Sequence, residues 1–349
     1  MSLSEKQINL IDVNDMRSQI SSLYSQMKHS TDIMDSFIKE NNAYSNISDQ
    51  YDKILIIGMG GSAIGADFVK TIIQNNISVP IFVVRDYLVP NWVDKKTFVI
   101  ASSYSGNTEE TLSAYNKCLE IGCFSIVIST GGQLTEIAKQ NDIGIIKLPK
   151  GYQPRAAIGY SLSILLLLFA EIGLIDKKNL TYLNQVVNNQ LGLKYTGKAK
   201  RIAEKLFGTF PVIYSGEGYM DILSRRLKGQ LAENSKILSY HSSFPEHNHN
   251  EIEGWSNNLD YFNSKISVIW LKDENDSDYI RKRMRIVSSI IQKYPNQQIE
   301  LKVSGETVLE RVFTMIHIID WISFYLAILY QNNPSPVNNI SKLKGLMVE

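Results

Sequence analysis

Residues 98–121, FVIASSYSGNTEETLSAYNKCLEI, carry the reading that decides the fold. Phe98-Val99-Ile100-Ala101 is an unbroken apolar run, as in a strand buried on both faces. Leu112 to Ile121 has apolar residues at helical spacing, and Glu109 and Glu110 stand where a first helical turn favours acids. Between strand and helix lie Ser103, Ser105, Gly106 and Thr108. A helix N-terminus offers unpaired backbone N–H groups and roughly half a positive charge. The hydroxyls add donors that rotate to fit, and Gly106 lets the backbone approach closely. The stretch therefore reads as an anion cradle suited to a phosphate monoester, held by hydrogen bonds because the loop has no lysine. Helix capping by Thr108 and Thr111 is the competing account. The place of the loop at a strand's carboxyl end, where open α/β sheets bind ligands, favours the cradle.

The same alternation extends in both directions. Ile54–Ile57, Ile81–Val84, Ser125–Ile128 and Gly144–Leu148 are further short apolar runs, mostly separated by helical stretches. That is the pattern of a parallel sheet with helices on both faces. Residues 5–40 read as helical and amphipathic, followed by a polar connector at 41–50. Residues 179–205 are polar and helical, and a second strand series follows at Val212–Ser215, Lys236–Tyr240, Ile266–Leu271 and Gln298–Val303. A long helix is expected over 307–331 and a short terminal one over 337–346, divided by Pro334 and Pro336.

Length and charge exclude several classes. A chain of 349 residues, 44% hydrophobic and 20% charged, has the composition of a soluble globular protein with room for two domains. A net charge of +1 gives no electrostatic case for nucleic acid or an anionic membrane. The basic clusters Lys198–Lys205 and Arg281–Arg285 fall in helical patterns and read as solvated faces. Cys118 and Cys123 straddle a predicted helix end, poorly placed to bridge, which favours a reduced cytoplasmic protein. The polar N-terminus has no secretory pattern. The apolar segment Ser161–Ala170 is too short to span a bilayer and reads as a buried core or subunit-interface helix.

Four other segments have chemical potential. Gly58-Met59-Gly60-Gly61-Ser62 ends the first strand and competes for a dinucleotide reading, but the pair Arg85-Asp86 lies about thirty residues on, beyond the usual place of the ribose acid. Ser62 beside Gly61 suits a sugar or phosphate oxygen, and simple loop punctuation is the alternative. Pro154-Arg155 places a permanent cation at the sheet's carboxyl edge, either facing a cleft or lying on the surface. Glu233-Asn234-Ser235-Lys236 closes a helix, and alone Glu233 would be a solvated residue. Residues 243–255, SFPEHNHNEIEGW, hold His247 and His249. Zinc binding by that pair lacks both a nearby cysteine and a helical His-x-x-x-His spacing. A histidine for proton transfer, with an ordinary pKa of about 6.5, fits better.

In this order, the glycine–serine loop, SYSGNTEET, Pro154-Arg155, ENSK at 233–236, HNHNE at 247–251 and the terminal Leu343-Lys344 resemble one family: the bifunctional phosphoglucose/phosphomannose isomerases of the sugar-isomerase (SIS) fold. The resemblance covers residues 45–349. It implies an α/β protein of two tandem SIS domains, each a doubly wound parallel sheet flanked by helices. The expected boundaries are an N-terminal helical segment at 1–45, a first domain at 46–178 and a second at 179–349. It further implies a homodimer in which His249 comes from the neighbouring subunit. By motif, Ser103, Ser105 and Thr108 would hold the substrate phosphate, and Gly61 and Ser62 would line the sugar. Arg155 would stabilise an enediolate beside C1 and C2, and Glu233 would be the base. Lys344 matches the C-terminal lysine, with Lys342 close enough to compete, and His247 receives no role.

Those residue types suit the chemistry that the resemblance implies, interconversion of glucose 6-phosphate, and of mannose 6-phosphate, with fructose 6-phosphate. Ring opening moves a proton from the C1 hydroxyl to the ring oxygen, work for His249 with Lys344. A glutamate, ordinarily of pKa about 4.3, is ionised at neutral pH and can take the C2 proton and return it to C1 through a cis-enediol. No metal or redox cofactor is required. The competing readings are a non-catalytic SIS module that senses a sugar phosphate and another SIS enzyme such as an amino-sugar phosphate isomerase.

Overall fold

The computed structural model describes residues 3–177, 179–189, 195–257 and 259–347. The chain forms two compact units, one of Ser21–Gln190 and one of Met1–Ile20 with Leu191–Glu349. Helices α1 (Glu5–Ile11) and α2 (Met16–Ser21) precede α3 (Leu23–Glu40). The first unit then runs β1 (Lys53–Ile57), α4 (Gly60–Ile73), β2 (Ile81–Val84), β3 (Thr97–Ser103), α5 (Glu109–Ile121), β4 (Ser125–Ser129), α6 (Gly132–Gln140), β5 (Ile145–Lys147), α7 (Ile158–Glu171) and α8 (Asn179–Asn189).

Its five strands are parallel in the order β2-β1-β3-β4-β5. All seven residues of β3 are buried, which is why its sequence carries no alternation. One face of the sheet packs Leu55, Val99, Ala101 and Val127 against Tyr115 and Cys118 of α5 and Leu134 of α6. α4, α7 and α3 pack in succession, and the apolar α7 is buried along nearly its whole length. β1 and β3 are neighbours in register, Ile57 beside Ala101, although β2 intervenes in sequence. The chain thus reverses its direction of travel between them, and the crevice at their carboxyl ends is the switch point where such sheets bind ligands.

The second unit runs α9 (Thr196–Leu206), β6 (Phe210–Gly216), α10 (Tyr219–Gln230), β7 (Tyr240–Phe244), α11 (Asp260–Asn263), β8 (Ile266–Asp273), α12 (Asp278–Ile290), β9 (Gln297–Val303), α13 (Val308–Leu329) and α14 (Asn338–Leu346). Its strands are parallel in the order β7-β6-β8-β9. α13 is long and apolar enough to cross a membrane, yet 94% of its most apolar window is buried within the protein. Asp320 on this helix accepts hydrogen bonds from Arg226 at 2.7 and 2.8 Å and from Gln230 at 2.7 Å. A buried charge held by two fixed partners belongs to the core of a folded unit.

Three expectations change. The strand expected at Lys236–Tyr240 is found at Tyr240–Phe244. Lys236 adopts a left-handed backbone, φ +61°, and the Ile237 N–H bonds back to Leu231 O, so these residues close the preceding helix and pairing starts at Tyr240. The N-terminal helical stretch breaks into three helices, α1 packing on α13 and α3 on α7. It therefore divides between the two units, and α8 joins the first by packing on α3 and α7, so the compact units part at 20/21 and 190/191. Both cysteines are buried and free.

Candidate active site

β3 delivers Ser103 to the carboxyl edge of the first sheet as its last residue. Ser103 Oγ lies 2.8 Å from Thr108 Oγ1 and accepts from the Gly106 N–H at 3.1 Å. Ser105 Oγ accepts from the Asn107 N–H at 3.2 Å. Thr108 occupies the N-cap position of α5, but its side chain makes no capping bond. Thr111 is buried with no hydrogen-bond partner for its hydroxyl. Neither threonine thus caps the helix through its hydroxyl, and the first turn of α5 keeps the electropositive end that suits an anion.

The loop is closely packed at Gly106. Gly106 has φ +70°, and a Cβ there would lie 1.7 Å from Gly131 O and 2.7 Å from Ser129 Oγ. Its carbonyl accepts from the Leu134 N–H at 2.9 Å, which ties the loop to the start of α6. Gly106→Ala is expected to destabilise the protein by about 2–4 kcal/mol, combining an unfavourable φ with backbone overlap. Urea unfolding checks this: the midpoint should fall at constant slope, and a wild-type midpoint would show that the loop can yield.

Gly61 and Ser62 lie in the first turn of α4, whose N-cap Met59 has no capping side chain. A Cβ on Gly61 would lie 3.0 Å from Pro154 O, so this glycine allows the loop carrying Arg155 to rest on the helix. Arg155 sits in a short 3-10 turn, Pro154–Ala156, and is only 5% exposed, which settles against a surface arginine. Its Nη1 donates to Gln153 Oε1 at 3.4 Å. From α3, Gln26 Nε2 donates to Ala156 O at 2.8 Å while its Oε1 accepts from the Gly159 N–H at 3.1 Å. The switch-point edge of this unit therefore gathers two uncapped helix N-termini, three hydroxyls and a buried cation.

In the second unit, Glu233 lies in a π turn, Leu231–Ser235, that closes α10. Such turns often mark functional positions. Here the motif explains itself physically. Asn234 Nδ2 donates to Ser323 Oγ at 2.9 Å and Ser235 Oγ donates to Ser323 O at 2.7 Å, with both side chains fully buried on α13. Glu233, half-buried, instead lines a groove of about 620 Å³ with Lys236, Asn332, Pro336 and Ile340. The Lys236 ammonium donates to Glu233 O, to Pro336 O at 2.6 Å and to Pro334 O at 3.4 Å.

His249 ends a 3-10 turn, Glu246–His249, and is exposed. His247 is fully buried, stacked on Phe244 at 4.5 Å and edge-on to Tyr214 at 4.6 Å. Burial pushes its pKa below the ordinary histidine value, so it is a neutral core residue. Lys342 and Lys344 are both exposed on α14.

Residues 47–169 match the SIS domain, and residues 196–347 match the bacterial phospho-glucose isomerase C-terminal SIS domain. A bifunctional phosphoglucose/phosphomannose isomerase of Caldicellulosiruptor bescii is 39% identical over 320 residues, 89% of this chain and 94% of that protein. The chain belongs to the bifunctional phosphoglucose/phosphomannose isomerase family. A member from Aquifex aeolicus is 37% identical, covering 84% of this chain and 90% of its own length. In fold, the chain is similar to the C-terminal domain of glucosamine-fructose-6-phosphate aminotransferase from Francisella tularensis, with a TM-score of 0.70 at 14% identity over 90% of this chain and 96% of that one.

Within this family member, three supporting residues escape a reading of the sequence. Gln26 grips the Arg155 turn from 130 residues away, and Lys236 reaches carbonyls about 100 residues downstream. Tyr104, inside the hydroxyl loop, reaches the segment preceding Arg155. Lys236 and Tyr104 had a signal, their places in the ENSK and SYSGNTEET motifs, whereas Gln26 had none.

Proposed function

We propose that this protein is a glucose-6-phosphate and mannose-6-phosphate isomerase, interconverting both sugars with fructose 6-phosphate in the cytoplasm as a homodimer. The observation that carries the reading is the uncapped N-terminus of α5 ringed by Ser103, Ser105 and Thr108, in the same unit as the buried Arg155. A dianion suits the first and a developing enediolate the second. The family's named activities supply the substrates.

In this reading the phosphate is anchored by Ser103, Ser105 and Thr108, and Gly61 and Ser62 line the sugar. His249 of the neighbouring subunit, with Lys344, moves the C1 hydroxyl proton to the ring oxygen and so opens the ring. Its exposed position on the single chain is compatible with service to a second copy. Glu233 takes the C2 proton, and Arg155 offsets the charge on the enediolate oxygens. The same proton returned to C1, with the O2 hydroxyl proton passed to O1, gives the ketose, with no net gain or loss of atoms. Glucose and mannose 6-phosphates differ only at C2, and loss of the C2 proton gives both the same enediol; for one base to reach the C2 proton of either epimer, the opened sugar must turn about its C2–C3 bond.

A coupled assay with each aldose 6-phosphate tests the proposal. Turnover of both, insensitive to chelator, is expected; thermal stabilisation by the sugars without turnover would instead make this a sensing module. Ser105→Ala should raise KM by about tenfold, the scale of one lost hydrogen bond to a charged group, with kcat changed less. A fall in kcat at constant KM would move this loop into the chemical step.

A further inference from the structure

Tyr104 stands between two of the hydroxyls that face the anion, yet its side chain serves another loop. Its phenol donates to Pro149 O at 2.8 Å and accepts from the Tyr152 N–H at 3.0 Å. One oxygen therefore fastens both ends of the turn that leads from β5 to Arg155. The Tyr104 carbonyl is itself fixed by the Thr130 N–H at 3.1 Å. Burial raises the phenol's pKa above its ordinary value, which keeps the donor proton in place. Downstream, Tyr152 packs edge-on against Tyr160 at 5.7 Å, and Tyr160 Oη lies 3.1 Å from His29 Nδ1 on α3. The Arg155 segment is thus held by Gln26 and the neighbourhood of Gly61 on one side and by the phosphate loop on the other.

We propose that Tyr104 is a positioning residue that couples occupancy of the phosphate loop to the placement of Arg155. The proposal rests on the isomerase reading of the site above. An anion drawing on Ser103, Ser105 and the α5 N-terminus fixes the peptide that carries Tyr104, and the phenol passes that order to residues 149–155. Binding energy from the phosphate, which takes no part in bond making, is thereby used to orient the cation at C1 and C2.

Tyr104→Phe removes one oxygen and keeps the ring. It should lower kcat by about tenfold with KM changed less than about twofold, as expected when orientation rather than binding is lost. The double variant Y104F/R155M should be no slower than Arg155→Met alone, because Tyr104 acts through Arg155. Hydrogen exchange with inorganic phosphate as the probe supplies a readout independent of turnover. In the wild type, phosphate should slow exchange at both 102–108 and 148–156; in Tyr104→Phe, protection at 102–108 should persist while that at 148–156 is lost. Additive kinetic losses, or undiminished protection of 148–156 in the variant, overturn the coupling. Absence of protection at 102–108 in the wild type overturns the phosphate site itself and the coupling with it.

Discussion

Replacing Glu233 by glutamine is expected to cut kcat by about 10²-fold or more while KM for either aldose 6-phosphate stays within about threefold. Glutamine keeps the shape of the side chain and cannot accept the C2 proton. The fold should respond little, because the π turn is anchored by Asn234 and Ser235 on Ser323 and by Lys236 on backbone carbonyls. The acid of the HNHNE motif, Glu251, is committed to structure: it accepts from Tyr214 at 2.7 Å and from Tyr240 at 3.2 Å. Steady-state kinetics beside a thermal melt decide the matter. Near-normal turnover in a well-folded variant would remove Glu233 from the mechanism.

How much of this was legible in the sequence depends on the range over which each feature is encoded. The sheet edge and hydroxyl loop were readable because strand, turn and helix are contiguous, and because parallel strands covered on both faces leave unbroken apolar runs such as Phe98–Ala101. The anchoring of Glu233 was not readable, since Asn234 and Ser235 find Ser323 nearly ninety residues on. The displaced strand at Tyr240–Phe244 has a related cause. Lys236 looks like the start of a strand by its apolar neighbours, but its left-handed backbone is held by contacts to Pro334 and Pro336 that no local window contains. His247 shows the reverse case: a histidine beside a motif suggests chemistry, and only its packing on Phe244 and Tyr214 reveals a core ring.

Arg155 is the second residue whose loss should be large. Arg155→Met is expected to lower kcat by about 10²–10³-fold, the scale of removing one preorganised donor aimed at developing charge. A cation that is 5% exposed acts where water screens little, so its effect on an enediolate exceeds that of the same charge in solvent. Methionine fills similar volume without charge, and the turn itself stays held by Gln26 through Ala156 O and the Gly159 N–H. Arg155→Lys should recover only part of the loss, because an ammonium lacks the planar fork that can address two vicinal oxygens at once. The division between constants carries the argument. Charge stabilisation belongs to the transition state, so kcat and kcat/KM should fall together. A raised KM with unchanged kcat would assign Arg155 to ground-state sugar binding and take it out of the charge-stabilising step.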